Sequence, residues 1–107
     1  MRSCIIVRMS DTHDDQLATL WQDFLDLPFP QSCYRRSAAG EDLVLLESHL
    51  AGCVSAALTG PLDQRRREAL RTGMASVDGL LPELADDPSA ADYFTRLRAL
   101  AELAAAR

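Results

Sequence analysis

The chain has 107 residues, enough for one domain, with 48% hydrophobic side chains, 6% aromatic ones and a formal net charge of −5. Leu and Ala dominate its apolar set and favour helix, while its negative field repels nucleic acid and anionic membranes. Three widely spaced cysteines, Cys4, Cys33 and Cys53, lack the spacing of a disulfide framework or a complete zinc site, and no apolar stretch reaches the length of a membrane span or a signal-peptide core.

Every basic residue is Arg, and Lys and Asn are absent, as codon bias in a GC-rich bacterial genome would produce. Residues 1–9 change character abruptly at Met9, where MSDTHDDQ would make a natural polar start. We therefore expect this segment to be a lone strand, a short disordered piece or an extension from an upstream start codon.

The first helix is expected over 12–27. Thr12 and Asp15 form a weak capping box, and Leu17, Leu20, Trp21, Phe24 and Leu27 recur at helical spacing. Pro28 and Pro30 stop it, because proline cannot donate to the helical ladder. A long connection, 28–40, follows, with Phe29 and Tyr34 as expected anchors and Gly40 as the return to helix. The second helix is expected over 41–58. Leu43, Leu46, Leu50, Cys53, Val54, Ala57 and Leu58 form its main apolar face, but Val44, Leu45, Ala51 and Ala56 lie on the other side. A helix apolar nearly all round is normally a buried one, so the second helix is expected to be central.

Gly60-Pro61 marks a turn, and Asp63 can cap a third helix over 64–81. Its expected core stripe is Leu70, Met74, Val77 and Leu81, flanked by Ala69, Gly73 and Leu80, with a stop or kink near Gly79 and Pro82. Asp87 can cap a fourth helix, whose first position suits Pro88. That helix is expected over 89–106, with Tyr93, Phe94, Leu97, Leu100, Ala101 and Ala104 inward. The short later links imply antiparallel neighbours. The expected fold is all-α: one domain, a small antiparallel four-helix bundle with a long loop after its first helix.

His49 and Cys53 stand four apart and share a helix face. The run His-Leu-Ala-Gly-Cys at 49–53 resembles the His-x-x-x-Cys half of zinc-binding anti-sigma domains. The resemblance implies a metal-binding regulator, or a descendant that has lost its metal, because the family's second cysteine position is Ala56 here. Cys33 and His13 could complete four ligands only if the fold brought them there. A thiol nucleophile would need Cys53 activated, yet Cys53 lies on the apolar side of the wheel, with His49 at its border. The expectation is packing: no metal, no cofactor and no catalytic set.

Ser48, Gly52 and Ala56 instead form a stripe of small residues. A mid-helix glycine costs about 1 kcal/mol relative to Ala, so Gly52 is expected to be a close contact with another helix, within the chain or across a dimer. Arg65, Arg66 and Arg67 spread over roughly 200° of a helix. Only Arg67 and Arg71 stack on one face, where they could meet an anionic partner surface, with Arg35 and Arg36 as possible additions. The acidic residues Asp11, Asp14, Asp15, Asp23 and Asp26 are expected to solvate the first helix. The role expected is a cytoplasmic, non-enzymatic interaction or regulatory protein, binding itself or another protein but neither nucleic acid nor membrane. A small ligand-binding or enzymatic helical domain is the remaining reading, and a pocket holding His49, Tyr34 or Arg35 would favour it.

Overall fold

The computed structural model describes residues 12–34 and 36–106. Expectations for residues 1–9, Cys4, Asp11, Arg35 and the side chains of Thr12, His13 and Asp14 lie outside the described residues. Four helices pack mutually: α1 (Thr12–Leu25), α2 (Leu43–Thr59), α3 (Gln64–Leu80) and α4 (Pro88–Ala105). A short 3-10 turn (Gln31–Cys33) and a two-stranded hairpin, β1 (Ser37–Ala38) and β2 (Glu41–Asp42), fill the connection after α1.

Side-chain pairs give the helix directions. Arg67, at the start of α3, donates to the carbonyl of Ala105, at the end of α4, and Arg98 of α4 pairs with Asp78 later in α3. These two helices therefore run antiparallel. Glu41 and Ser76 join the start of α2 to the later part of α3, so α2 and α3 are antiparallel too. Glu47 and Tyr93 join the early turns of α2 and α4, which places those two parallel. The bundle is up and down, with α2 and α4 as its parallel inner pair.

The centre is α4, not α2. Seven α4 residues are buried: Ala90, Tyr93, Phe94, Leu97, Leu100, Ala101 and Ala104. In α2 five are: Leu43, Leu46, Leu50, Val54 and Ala57. The apolar residues around the rest of α2 misled the sequence reading, because Leu45 faces solvent at 58% exposure and Val44, Ala51 and Ala56 are only half-buried. Burying a large apolar side chain fully is worth about 1.5–3 kcal/mol, so Phe94, Leu97 and Leu100 make the α4 stripe a major apolar contribution to the fold.

In α3 the stripe is rotated from the one expected. Gly73 and Leu80 are buried with Leu70 and Val77, whereas Met74 and Leu81 are half-buried. Gly73 is the reason. A Cβ placed there would meet the Leu50 side chain of α2, with Cγ at 2.9 Å. The helices thus approach closely at Gly73, and the close-approach role expected of Gly52 within the chain is not there: a Cβ on Gly52 meets nothing within 4 Å.

The first helix stops at Leu25, two residues early, and rests on α4 through Leu17 and Phe24. Its Leu20 flank is partly exposed. Trp21 stacks near Phe24, with ring centroids 6.0 Å apart, and Phe24 meets Tyr93 at 4.7 Å. Phe29 anchors the connection as expected, edge-on to Tyr93 at 5.3 Å. Tyr34 does not anchor it. Its ring is 56% exposed and touches only the edge of Phe29, and the buried loop residues are Cys33 and Ala38.

Asp87 ties this connection to α4. Its carboxylate caps α4 by accepting from the Ala90 N–H, accepts from the Ser32 hydroxyl, and lies 3.4 Å from Arg36. Arg36 also donates to the Glu83 carbonyl, and Glu83 in turn accepts from the Ala39 N–H. Arg36 is therefore used inside the molecule and adds nothing to an outward basic patch.

Two measurements test these packing assignments. Gly73→Ala should destabilise the fold by about 1–2 kcal/mol in urea melts, since overpacking outweighs the gain in helix propensity. Gly52→Ala, on an open surface, should stabilise the monomer by up to about 1 kcal/mol. The reverse order would refute the assignment of the close approach. The second concerns Asp87, whose carboxyl the Ser32 bond chiefly holds below the ordinary value, aided by the Ala90 N–H and Arg36. The stability it contributes is present above the ordinary carboxylate pKa and is lost as pH falls through the depressed one. Asp87→Ala should lower the melting temperature at neutral pH, and its deficit should narrow only in strong acid. A deficit independent of pH would mean that the charge contributes nothing.

Candidate functional site

The second helix is aimed by its entry. Ala39 and Gly40, both with positive φ (52° and 81°), form the two-residue turn of the hairpin, as type I′ geometry requires. The chain then reaches Asp42, whose carboxylate accepts from the N–H groups of Val44 and Leu45 at 2.9 and 3.2 Å. This cap starts α2 at Leu43, two residues later than expected. The signal was present: an Asp directly before an apolar helical run is a capping residue. Gly40 drew the reading instead, and it belongs to the turn.

One flank of α2 and the facing side of α3 enclose an open groove of about 420 Å³. His49 and Cys53 line it, as do Glu41, Thr72 and Ser76, with Leu46 and Gly73 as part of its apolar wall. The structure therefore brings His49 and Cys53 to one groove, as the i, i+4 spacing implies. It does not bring Cys33, which is buried in the 3-10 turn beyond α1. The Glu41 carboxylate in the groove accepts from the Ser76 hydroxyl at 3.1 Å. Among the described residues, no three of His, Cys, Asp and Glu come together so as to hold a metal ion.

Chemistry at Cys53 is governed by burial, which pushes its thiol up from the ordinary value. Arg66 pulls it down by less, and Asp63 adds a small upward push. The thiolate is the reactive form, so this cysteine is held in its unreactive state at neutral pH. Cys33 is likewise raised, chiefly by burial.

The outward face of α2 carries Leu45, Ser48, Gly52, Ser55 and Thr59, all exposed, with Ala56 half-buried beside them. The only titratable side chains of α2 apart from Cys53 are Glu47 and His49. Glu47 points away from this face and accepts from the Tyr93 hydroxyl at 3.0 Å. Burial, with this carboxylate as the next cause, raises the Tyr93 hydroxyl far above its ordinary value, so it stays a donor. The face is thus free of Asp, Glu and Arg along its length. The other helices differ: exposed Asp15 and Asp23 lie on α1, Arg65, Glu68 and Arg71 on α3, and Asp92, Arg96 and Glu102 on α4.

The arginines of α3 do not act as a unit. Arg67 is half-buried and donates to the carbonyls of Leu62 and Ala105, closing the open end of α4. Arg71 is exposed one turn on. Arg66 pairs with Asp63 at 3.5 Å. The expected two-arginine face is therefore interrupted, because Arg67 donates to the Ala105 carbonyl that the end of α4 leaves unsatisfied, and to the Leu62 carbonyl before α3.

A second groove, of about 500 Å³, lies between the 27–32 segment and the start of α4. Phe29, Pro30 and Tyr93 line it, with Asp87 and Asp92. Its walls come from residues some sixty positions apart, so no local pattern announces it. Among the described residues, no helix is long and apolar enough to cross a membrane.

Thiol accessibility checks the groove chemistry. With a disulfide reagent on the native protein, Cys53 should react slowly at neutral pH and faster only as pH rises above its ordinary pKa. Cys33 should react only on unfolding. Fast labelling of Cys53 at neutral pH would contradict the raised pKa and reopen the nucleophile reading.

No known protein family, no curated protein and no solved structure matches this chain.

Proposed function

We propose that the chain is a non-enzymatic protein-interaction module of a bacterial cytoplasm, regulatory in role, and that the outward face of α2 is where it meets a protein partner. The observation that carries this reading is the lack of charge on that face. A protein of net charge −5 places carboxylates or guanidiniums on the outer faces of its three other helices and none here. Depletion of charge marks the core of protein interfaces. Exposed Leu45 gives the face an apolar contact, and the open space around Gly52 admits another helix at short distance. A second copy could approach there without meeting like charges. The reduced Cys33 and Cys53 suit a reducing compartment.

Analytical ultracentrifugation of the full chain, alone and with proteins recovered on it from a bacterial lysate, tests the proposal. Gly52→Arg and Ser48→Arg should abolish the association while leaving the helical spectrum unchanged. A wild-type chain that is strictly monomeric and recovers no partner sinks the proposal, and so does an association indifferent to both variants.

The groove holding His49 and Cys53 favours one other reading, a small-ligand site. Its volume lies in the usual range for such sites, and it joins an apolar wall to a few polar groups. Ligand protection of Cys53 against thiol reagents, unaffected by Gly52→Arg, would favour that reading over the first.

A further inference from the structure

We infer that the groove between the 27–32 segment and the start of α4 seats a cationic side chain, arginine or lysine, presented by an extended segment of another protein. This site is separate from the α2 face and does not depend on it.

The apolar part of the groove is aromatic and proline-rich. Leu27, Pro28, Phe29 and Pro30 form one side, and the Tyr93 ring, nearly buried, closes the other. Phe29 meets Tyr93 edge-on, and exposed Tyr34 meets Phe29 at 4.9 Å, which carries the aromatic surface outward to solvent. The polar part combines the neutral Gln31, Ser32 and Ser89 with two acidic residues. Asp87 and Asp92 both line the groove, and no Arg or His does. The Asp87 carboxyl is held below its ordinary value, chiefly by the Ser32 hydrogen bond.

Two guanidiniums touch these carboxylates, Arg36 on Asp87 and Arg96 on Asp92, and neither lines the groove. The Asp86 carboxylate lies 3.6 Å from Arg36 as well, whereas Glu83 meets Arg36 only through its backbone carbonyl. Among the described residues the neighbourhood therefore keeps more carboxylates than guanidiniums. The Arg96 pair is an exposed i, i+4 contact, which leaves Asp92 free to accept from a newcomer.

An occupant of this groove must suit both halves. An anion would meet two carboxylates, and a neutral apolar group would gain nothing from them. A guanidinium or ammonium on an aliphatic stem satisfies both: the stem lies along proline and aromatic surface, and the head reaches the carboxylates. An arginine head adds stacking on a ring face. The groove is open along one side, so a free small cation would be poorly enclosed, whereas a peptide gains further contact along Tyr34.

The test uses the full chain and a blocked Gly-Gly-Arg-Gly-Gly peptide, followed by amide chemical shifts. Saturable shifts are expected at Phe29, Ser89 and Tyr93. Asp92→Asn should weaken binding about three- to five-fold, the size of one exposed charge pair. Glu102→Gln, which removes an equally exposed charge elsewhere on α4, should leave it unchanged, as should Gly52→Arg. Tyr34→Ala should weaken the peptide while leaving the melting temperature near wild type. Equal weakening by Asp92→Asn and Glu102→Gln would reduce the effect to net charge and overturn the site. Shifts elsewhere, or none, would overturn it as well. Methylguanidine binding as tightly as the peptide would overturn the protein segment as occupant in favour of a small free cation.

Discussion

Seven buried side chains along α4 have to be covered from three directions, and that demand places every other element. The parallel partner α2 covers one side through Leu50, Val54 and their neighbours. Antiparallel α3 fills the space between α2 and α4, and it fits only because Gly73 lets its backbone come close to Leu50. The remaining side is closed by α1 and the connection after it, through Phe24 and Phe29 against Tyr93. Tyr93 is the one polar group on the covered stripe, and Glu47 satisfies it from α2. A buried hydroxyl left without a partner would cost about 1–3 kcal/mol. The Glu47 carboxylate thus has an inward duty, which is one reason the outer face of α2 is left without charge.

Polar contacts do a different job from apolar ones in this molecule. The ion pair Arg96–Asp92 is exposed and contributes little, whereas half-buried Arg98 holds Asp78 through two hydrogen bonds. The contacts around Asp87 join a helix start, the 3-10 turn and the hairpin strand at one carboxylate. That junction fixes the path of a connection which has few buried side chains of its own, and so it also shapes the groove between the 27–32 segment and α4.

Helices were legible because their signals are local. Leu, Ala and the capping residues Asp63 and Asp87 sit at spacings that a 3.6-residue period reads directly, and all six residues expected on the inward face of α4 are buried, with Ala90 added to them. Other features needed two distant segments to be seen together. Whether Gly52 or Gly73 is the close contact depends on which helix lies opposite, and both look alike on a wheel. Leu45 reads as core by type, and only the placement of α3 and α4 shows that it faces solvent. Arg67 and Arg36 read as surface charge, but each finds a partner far along the chain. Of the candidate sites, the pairing of His49 with Cys53 was local and legible. The groove at Phe29 and Asp92 was not.

The single tryptophan has a practical consequence. Trp21 sits on α1, stacked near Phe24 at the contact with α4 and away from the packing of α2 with α3. Its emission therefore reports the docking of one helix, whereas far-ultraviolet circular dichroism reports all four. If α1, whose buried residues among those described are Leu17 and Phe24, detaches first, the two signals will melt at different temperatures. Such a gap would identify the first helix as a separately detaching unit, and free energies fitted to either signal alone would then describe only part of the molecule.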